Sequence, residues 1–263
     1  MCKIDLQFGD CLEVMQSMPD HSVDCIICDL PYGTTACKWD SIIDMQLLWE
    51  SYNRIIVPNG PIILFGSEPF SSMVRMSNID NYKYDWVWNK KLAGNGILAK
   101  KQPLKIHENI MVFHTTIYFP QKTKGNFRRK MTGGMNTNSV DTLHNSSSIV
   151  DEYSTDQYYP TSIQEFSVAN LRGDKRLHPT QKPVELLEYL IQTYTLEGET
   201  VLDNCMGSGT TGVACKHLNR NFIGIEKDLE YFEIAKNRIN SDSDFRLTRS
   251  INHNFPKQLN LFS

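Results

Sequence analysis

Short apolar runs alternate along this chain with longer segments in which apolar residues recur every three or four positions. The runs at 25–28, 61–65 and 222–226 have the length and the bounding turn residues of buried strands. The segments at 45–56 and 229–239 have the spacing of amphipathic helices. Because strands of this length alternate with helices, the pattern predicts an α/β fold with crossover connections.

The rest of the chain divides into regular and irregular parts. Further strands are expected at 3–8, 84–88, 108–113 and 200–203, and further helices at 11–18, 69–76, 183–191 and 210–218. Periodicity disappears over 114–175, which is rich in Thr, Asn, Ser, Tyr and Gly. An irregular segment of this length inside a domain is typical of a functional loop region. For 131–160, a mobile surface excursion is an equally good interpretation.

An acid, a backbone carbonyl and an aromatic ring are gathered where the first buried strand ends. The residues that follow it are Asp29-Leu30-Pro31-Tyr32-Gly33. They cannot continue the strand, because Pro31 has no backbone donor and Gly33 favours a turn. Open α/β sheets bind ligands at the carboxyl ends of their strands. The stretch therefore predicts a site for a planar ring that carries an amino group.

A glycine-rich loop follows the strand that ends at Asp203. Gly207 and Gly209 would let a ligand approach the backbone at a helix N-terminus. Glu226, at the end of the next strand, comes 23 residues after Asp203, about the spacing of a carboxylate that binds ribose hydroxyls. With Gly212 the loop also satisfies a dinucleotide-binding pattern, which is a rival interpretation. A Walker phosphate loop is excluded, because no Gly-Lys-Ser/Thr follows.

Composition limits the class of protein. The chain has 263 residues, 40% of them apolar, enough for one sizeable domain with an inserted module. No segment approaches the ~18 to 20 continuous apolar residues of a membrane span, and the polar N-terminus is unlike a signal peptide. The seven cysteines are odd in number and scattered through apolar stretches, which favours reduced thiols in the cytoplasm. Cys25 and Cys28 have metal-ligand spacing but no second pair, so we interpret them as core residues and predict no metal site.

Charge is distributed unevenly although the net charge is only −3. Residues 83–130 carry nine Lys and two Arg against two acids, whereas 141–165 contains five acids and no Lys or Arg. A nearly neutral total can therefore hide a basic face.

Three motifs together resemble those of a known family. They are Asp29-Leu-Pro-Tyr-Gly33, His178-Pro-Thr-Gln-Lys-Pro183 and Asp203-Asn-Cys-Met-Gly-Ser-Gly-Thr-Thr211. In this order they are similar to the β group of amino DNA methyltransferases of prokaryotes and their phages, over about 1–115 and 175–240. The resemblance implies a Rossmann-like mixed sheet of seven strands with helices on both faces and a circularly permuted motif order. It argues against a dinucleotide, and it shows one departure, since Leu30 replaces the family's usual proline.

The resemblance also implies a domain organisation. The catalytic half would be 1–113, an inserted target-recognition region 114–175, the cofactor-binding half 176–241 and a C-terminal tail 242–263. In the tail, Gln258-Leu-Asn-Leu-Phe262 resembles the peptide by which bacterial replication proteins bind the sliding clamp. A tail that simply packs on the body is the alternative interpretation.

The cofactor implied by the resemblance is S-adenosylmethionine. Asp203 would lie near its amino-acid end and Glu226 on its ribose. The loop expected to hold it consists of Met206, Gly207, Ser208, Gly209 and Thr210.

Four further residues match cofactor-binding positions of the family. Asp10 matches an acid that contacts the cofactor's adenine ring, although a helix N-cap is an equally good interpretation. His178, Thr180 and Lys182 match the motif beside the methionine portion. In that motif, Lys182 would meet the cofactor's carboxylate.

The implied activity is methyl transfer to the N6 of an adenine flipped out of a specific DNA sequence. The Asp29 carboxylate and the Leu30 carbonyl would accept the two N–H bonds of the amino group, Tyr32 would stack on the ring, and Pro31 completes the motif. An amino group inside a duplex is out of reach, so the base must be flipped. Aspartate rather than serine at position 29 favours adenine by family habit. Cytosine N4 or RNA as the target, and a catalytically silent DNA-binding module, remain alternatives.

Duplex DNA is the expected partner, and basic residues are the expected contacts with its phosphates. For any single residue among them, a solvated surface position is the alternative. The predicted contacts are Lys90, Lys91, Lys122, Lys124, Arg128, Arg129 and Lys130. No membrane partner is expected, a homodimer and a monomer both remain open, and the location is the bacterial cytoplasm, for a bacterial or a phage-encoded protein.

Overall fold

The computed structural model describes residues 2–33, 42–130, 153–168 and 181–241. These residues form two units. The larger unit contains the described residues up to Phe119 and from Thr161 onwards, and the smaller unit contains those between Pro120 and Pro160. The smaller unit thus lies inside the segment for which the sequence predicts an insertion.

Six α-helices and ten strands occur in the described residues. The helices are α1 (Cys11–Gln16), α2 (Met45–Ile55), α3 (Phe70–Ser77), α4 (Val184–Tyr194), α5 (Thr210–His217) and α6 (Leu229–Asn240). The strands are β1 (Ile4–Phe8), β2 (Cys25–Cys28), β3 (Ile62–Gly66), β4 (Tyr82–Asn89), β5 (His107–Phe113), β6 (Thr123–Lys130), β7 (Tyr153–Tyr158), β8 (Ile163–Glu165), β9 (Thr200–Asp203) and β10 (Asn221–Glu226). Each element predicted by the apolar pattern is present, within a few residues.

Eight strands form one mixed sheet in the order β1-β10-β9-β2-β3-β5-β4-β8. The strands from β1 to β3 in this order are parallel, and β5 runs antiparallel between β3 and β4. The expected Rossmann-like α/β fold is confirmed, with one strand more than the seven expected. The additional strand, β8, has three residues and pairs parallel with β4, where Val87 N donates to Ser162 O at 2.8 Å.

The central strand β2 shows why the sheet needs helices on both faces. All four of its residues are buried. Cys25 and Ile27 belong to the core cluster that includes residues of α4, α5 and α6, whereas Ile26 and Cys28 belong to the cluster with α1, α2 and α3. Because successive side chains in a strand point to opposite faces, the two thiols lie on opposite sides of the sheet and cannot share a metal ion.

The smaller unit contains an antiparallel pair of strands, β6 and β7. The pair packs tightly at Gly125, where a Cβ would lie 2.7 Å from the ring of Tyr158, and the Tyr158 hydroxyl donates to Asn126 O at 2.6 Å. The expectation of an irregular segment over 114–175 is therefore wrong for β6, β7 and β8. Side chains 123–127 are exposed, so no apolar face marks this strand in the sequence.

None of the helices in the part of the chain that the structure describes combines the length and apolarity needed to cross a membrane.

Candidate active site

A cleft opens at the carboxyl edge of the sheet, beyond the ends of β1, β2, β9 and β10. Strand ends meet there because these four strands are parallel. The cleft brings together most of the residues predicted for cofactor and catalysis. They are Asp10, Asp29, Leu30, Pro31, Tyr32, Lys182, Asp203, Met206, Gly207, Ser208, Thr210 and Glu226.

The loop between β9 and α5 adopts a backbone that favours glycine at two positions. The φ angles of Gly207 and Gly209 are 51° and 76°, in the left-handed region. A Cβ at Gly209 would also lie 2.9 Å from the Cβ of Ala235 on α6. The loop leads directly into α5, whose first backbone N–H groups have no acceptors within the helix. Such donors beside a cleft suit a polar or anionic ligand group.

Glu226 is held at the end of β10 by backbone donors. Its Oε2 accepts from Gly207 N at 2.9 Å, and its Oε1 accepts from Asp228 N at 2.9 Å. Burial raises the pKa of Glu226 in spite of these bonds. Since each carboxylate oxygen has a second lone pair, ligand hydroxyls can still donate to it. The position fits the predicted contact with a ribose.

Asp203 lies buried at the end of β9. It accepts from Thr211 Oγ1 at 2.6 Å and from Cys205 N at 3.2 Å. Burial nevertheless raises the pKa of Asp203 to about 7. A positive ligand group in the cleft would favour the ionised form. The site therefore suits the ammonium group of an amino-acid moiety, which is compatible with the predicted place of Asp203 near the amino-acid end of the cofactor.

Asp203→Asn is expected to remove part of the pH dependence of stability. The folded pKa of about 7 lies above the ordinary 3.8, so the carboxyl stabilises the fold at low pH, and this contribution is lost as pH rises from about 4 to 7. Asparagine has the same shape and no charge to bury. In urea unfolding at pH 8, the variant should be more stable than the parent by about 1–4 kcal/mol, whereas the two should agree near pH 4. If the stability of the variant and of the parent depended on pH in the same way, the raised pKa of Asp203 would be contradicted.

Asp10 has the capping role that was one of its two interpretations. Its Oδ1 accepts from Leu12 N at 2.9 Å, so it is the N-cap of α1. The residue also lines the cleft. The capping bond occupies one carboxylate oxygen, so the predicted cofactor contact stays compatible with the geometry.

The Asp29 carboxylate accepts two hydrogen bonds where β2 ends in the cleft. Tyr32 Oη donates to Oδ1 at 2.8 Å, and Lys182 Nζ donates to Oδ2 at 2.5 Å. Burial, and then the nearby Asp29 carboxylate, raise the pKa of the Tyr32 phenol. The phenol therefore stays protonated and able to donate. The Asp29 carboxylate thus acts as a hydrogen-bond acceptor, which is the property that the motif predicts for it.

Packing fixes the backbone between Asp29 and Tyr32. The Tyr32 ring stacks on Phe70, with ring centroids 4.9 Å apart and an angle of 27° between the planes. Leu30 is 2% exposed and packs in the core next to the buried Pro31. Core packing thus restrains Leu30 where the family usually has a proline ring. The role of the Leu30 carbonyl stays a prediction.

Lys182 and Glu108 lie beside Asp29 in a largely buried ionic cluster. The Lys182 ammonium lies 3.4 Å from Glu108 Oε2 and 5.1 Å from the centre of the Phe65 ring. Glu108 Oε1 accepts from Lys90 Nζ at 2.9 Å. Ionic contacts of alternating sign therefore connect Lys90, Glu108, Lys182 and Asp29.

Opposite charges keep both central members of the cluster ionised. Burial alone would lower the pKa of Lys182, but Asp29 and Glu108 outweigh burial and raise it. Burial alone would raise the pKa of Glu108, but Lys182 and Lys90 lower it. Lys182 and Glu108 are therefore both charged at neutral pH.

Sequence reasoning did not find Glu108, and it gave Lys182 a different partner. The sequence predicts that Lys182 meets a cofactor carboxylate, whereas the structure places its ammonium group on Asp29 and Glu108. Glu108 reaches this edge because β5 is antiparallel to β3, which brings the amino end of β5 to the carboxyl ends of its neighbours. Periodicity within β5 cannot show this, since it depends on pairing between distant strands.

The predicted DNA contacts lie in different environments. Lys90 belongs to the buried cluster, whereas Lys91 is exposed and pairs with Glu165 at 2.8 Å. In the smaller unit, the Lys122 ammonium lies 4.4 Å from the centre of the Tyr159 ring, and Lys124 lies 3.6 Å from Asp156. The backbones of Arg128, Arg129 and Lys130 belong to β6 and pair with β7.

Three predictions lie outside the described residues. They concern His178, Thr180 and the clamp-like peptide at 258–262.

Comparison with known proteins gives a family and two curated relatives. A family model described as DNA methylase, N6_N4_Mtase, matches residues 23–237. The type II methyltransferase M.HpaI of Haemophilus parainfluenzae is 30% identical over 245 residues, which cover 89% of this chain and 73% of that protein. The type II methyltransferase M.HinfI of Haemophilus influenzae is 27% identical over 270 aligned positions, which cover 88% of this chain and 67% of that protein.

Solved structures share the fold. The crystal structure of the M1.HpyAVI–SAM complex matches with a TM-score of 0.60 and 27% identity, covering 90% of this chain and 99% of that chain. The cytosine-N4-specific PvuII DNA methyltransferase matches with a TM-score of 0.64 and 16% identity, covering 92% of this chain and 89% of that chain. At that identity, the second likeness concerns the fold alone.

Proposed function

Because this chain belongs to the N6/N4 family of DNA methylases, we propose that it methylates the N6 amino group of adenine in duplex DNA. The family activity is methyl transfer to DNA from S-adenosylmethionine, the cofactor of the M1.HpyAVI complex. The observation that carries the adenine assignment is the Asp29 carboxylate, which accepts two donors at the end of the cofactor cleft. Aspartate at this position favours adenine within the family.

The cleft residues fit S-adenosylmethionine. The positive-φ backbone of Gly207 and Gly209 gives a ligand close access to the loop. Glu226 offers a carboxylate to ribose hydroxyls, and Asp203 offers one to the ammonium group of the methionine portion. When bound there, the cofactor supplies a methyl group on a sulfonium centre.

The other half of the site activates the target nitrogen. The lone pair of an exocyclic amino group is delocalised into its ring, which makes the nitrogen a poor nucleophile. If Asp29 and the Leu30 carbonyl accept its two N–H bonds, the lone pair becomes localised on nitrogen and faces the cofactor. Tyr32, supported by Phe70, provides an aromatic surface for the base. The Asp29 carboxylate is also placed to accept the proton that nitrogen releases after methylation.

Lys182 and Glu108 position Asp29 in this proposal. Lys182 fixes Asp29 Oδ2, and Glu108 holds Lys182 in turn. The Lys182 ammonium thereby orients the carboxylate towards the cleft. The proposal also requires extrusion of the base from the duplex, because an amino group in a stacked base pair cannot enter the cleft that Asp29 lines.

Identification of the methylated nucleoside tests the proposal. The purified protein is incubated with chromosomal DNA from a methylation-free bacterial host and with cofactor labelled in the methyl group, and the DNA is then digested to nucleosides. We expect label in N6-methyldeoxyadenosine. Label in N4-methyldeoxycytidine would contradict the adenine assignment and retain the family activity. Cofactor binding without any methyl transfer would support the catalytically silent alternative. Transfer of label to RNA in a parallel control reaction would indicate that RNA is a substrate.

A further inference from the structure

The segment between β4 and β5, residues 90–106, carries exposed aliphatic side chains on an ordered loop. Ile97 is 100% exposed. Four further aliphatic residues of the loop are at least 39% exposed, namely Leu92, Leu98, Leu104 and Ile106. Contact of these side chains with water is unfavourable, and several in one loop mark a surface that is covered during function.

Both ends of the 90–106 loop are anchored at the edge of the sheet that holds the active site. Strands β4 and β3 both run antiparallel to β5, so the carboxyl end of β4 lies at the same edge as that of β3. At the start of the loop, Lys90 belongs to the ionic cluster that ends on Asp29. Near the end of the loop, Lys105 Nζ donates to the hydroxyl of Ser67, which follows β3.

Hydrogen bonds hold the tip of the loop in one conformation. Asn95 Nδ2 donates to Pro103 O at 3.1 Å, and Asn95 Oδ1 accepts from Lys105 N at 2.7 Å. These bonds join the two branches of the loop. Ile97 lies in a one-turn 3₁₀ helix formed by residues Gly96–Leu98. The side chain is therefore displayed on an ordered turn.

The charge of the loop indicates the chemistry of its partner. Residues 90–106 contain five lysines and no acidic residue. Lys100 and Lys101, which follow Ala99 after the turn, are exposed. A partner that offers an apolar space flanked by negative charges would satisfy both features. A DNA duplex from which one base has been flipped out offers both features. The neighbouring stacked bases form an apolar gap, and the phosphates of the backbone flank it.

We propose that the 90–106 loop inserts Ile97 into the DNA stack at the position vacated by the flipped base, while Lys100 and Lys101 contact flanking phosphates. This inference rests on the proposed function, because it requires a base to leave the duplex. Ile97 stabilises the extruded state by replacing lost stacking with apolar contact.

The test compares a paired with a mispaired target. Two short duplexes carry the sequence that modification-aware sequencing identifies in cells expressing this chain, and in one of them the target base is opposite a mismatch. A mispaired base costs less to extrude. For Ile97→Ala we expect kcat/KM to fall about tenfold on the paired duplex and less than about threefold on the mispaired duplex. Ile97→Leu, which keeps an apolar side chain, should retain the parent rate on both.

Met76→Ala is the matched control. Met76 is 71% exposed near the end of α3, which runs back to the opposite edge of the sheet, and this variant should behave as the parent on both duplexes. Lys100→Ala and Lys101→Ala should each lower the salt dependence of binding to the paired duplex by about one unit of slope.

The outcomes separate the two proposals. A parent protein that methylates no DNA overturns the proposed function, and the loop inference with it. If the parent is active, an Ile97→Ala rate equal to that of the parent on the paired duplex overturns the inference alone. An equal loss on both duplexes also overturns it, because a defect unrelated to base extrusion would not depend on pairing.

Discussion

Asp29→Ala is expected to lower the rate of methyl transfer by about 1,000-fold or more, while cofactor affinity changes by less than about threefold. Asp29 contacts Tyr32 and Lys182, whereas Glu226 accepts a hydrogen bond from the backbone of Gly207, so the two carboxylates have separate partners. Loss of the carboxylate would remove an acceptor for the target amino group and leave the cofactor contacts in place. Single-turnover kinetics on methylation-free chromosomal DNA measure the rate, and calorimetric titration measures cofactor affinity.

Asp20→Ala is the control for the Asp29 experiment. Asp20 forms a surface ion pair with Arg54 and has a side chain that is 67% exposed, so its loss should leave the transfer rate unchanged. Retention of more than a tenth of the parent rate by Asp29→Ala would refute the assigned role. A large loss of cofactor affinity in the same variant would place Asp29 in the cofactor site instead.

Lys182→Met is expected to lower the free energy of unfolding by about 3–5 kcal/mol at neutral pH. The variant keeps most of the side-chain volume but leaves Glu108 and Asp29, whose side chains are 15% and 24% exposed, without their shared cation. Urea unfolding at pH 7 measures the change. Lys236→Met, which removes a half-exposed partner of Glu233, should change stability by less than about 0.5 kcal/mol.

The pH dependence of the Lys182 effect follows from the lowered pKa of Glu108. A lowered carboxyl pKa adds stability at pH values above the ordinary 4.5, and that stability is lost as pH falls through the folded pKa. The difference between parent and Lys182→Met should therefore shrink below about pH 4.5. Adding Glu108→Gln to Lys182→Met should recover part of the stability, because the buried charge then disappears. A difference that is independent of pH would exclude charge burial as its cause.

The parts of the site that sequence could predict are those in which adjacent residues hold the chemistry. Asp29 and Tyr32 lie on one segment after β2, and Gly207 to Gly209 lie on the loop between β9 and the first residue of α5, Thr210. The strand and helix pattern places both at strand ends, so their meeting at one edge follows from parallel pairing. The N-cap role of Asp10 was similarly foreseeable from the residue type before a helix.

What sequence could not predict depends on pairing between distant segments. Glu108 meets Lys182 only because β5 is inserted antiparallel between β3 and β4. β8 has only three residues, and no local sequence pattern predicts that it pairs with β4. Residues 123–127 of β6 are exposed, so this part of the strand has no buried face that would produce an alternating pattern. In each case, tertiary contacts stabilise the conformation and local propensity does not.

The adjacency of β2 and β9 at the centre of the sheet has a consequence for the nascent chain. Cys25 pairs with Val201, so more than three quarters of the 263 residues must be synthesised before this ladder can close. Long-range closure of this kind is slow relative to local helix formation. Until β9 arrives, one edge of the apolar strand β2 has no neighbour, and such edges invite pairing with other chains. Completion of the cleft and protection of the strand edge therefore occur in the same step of folding.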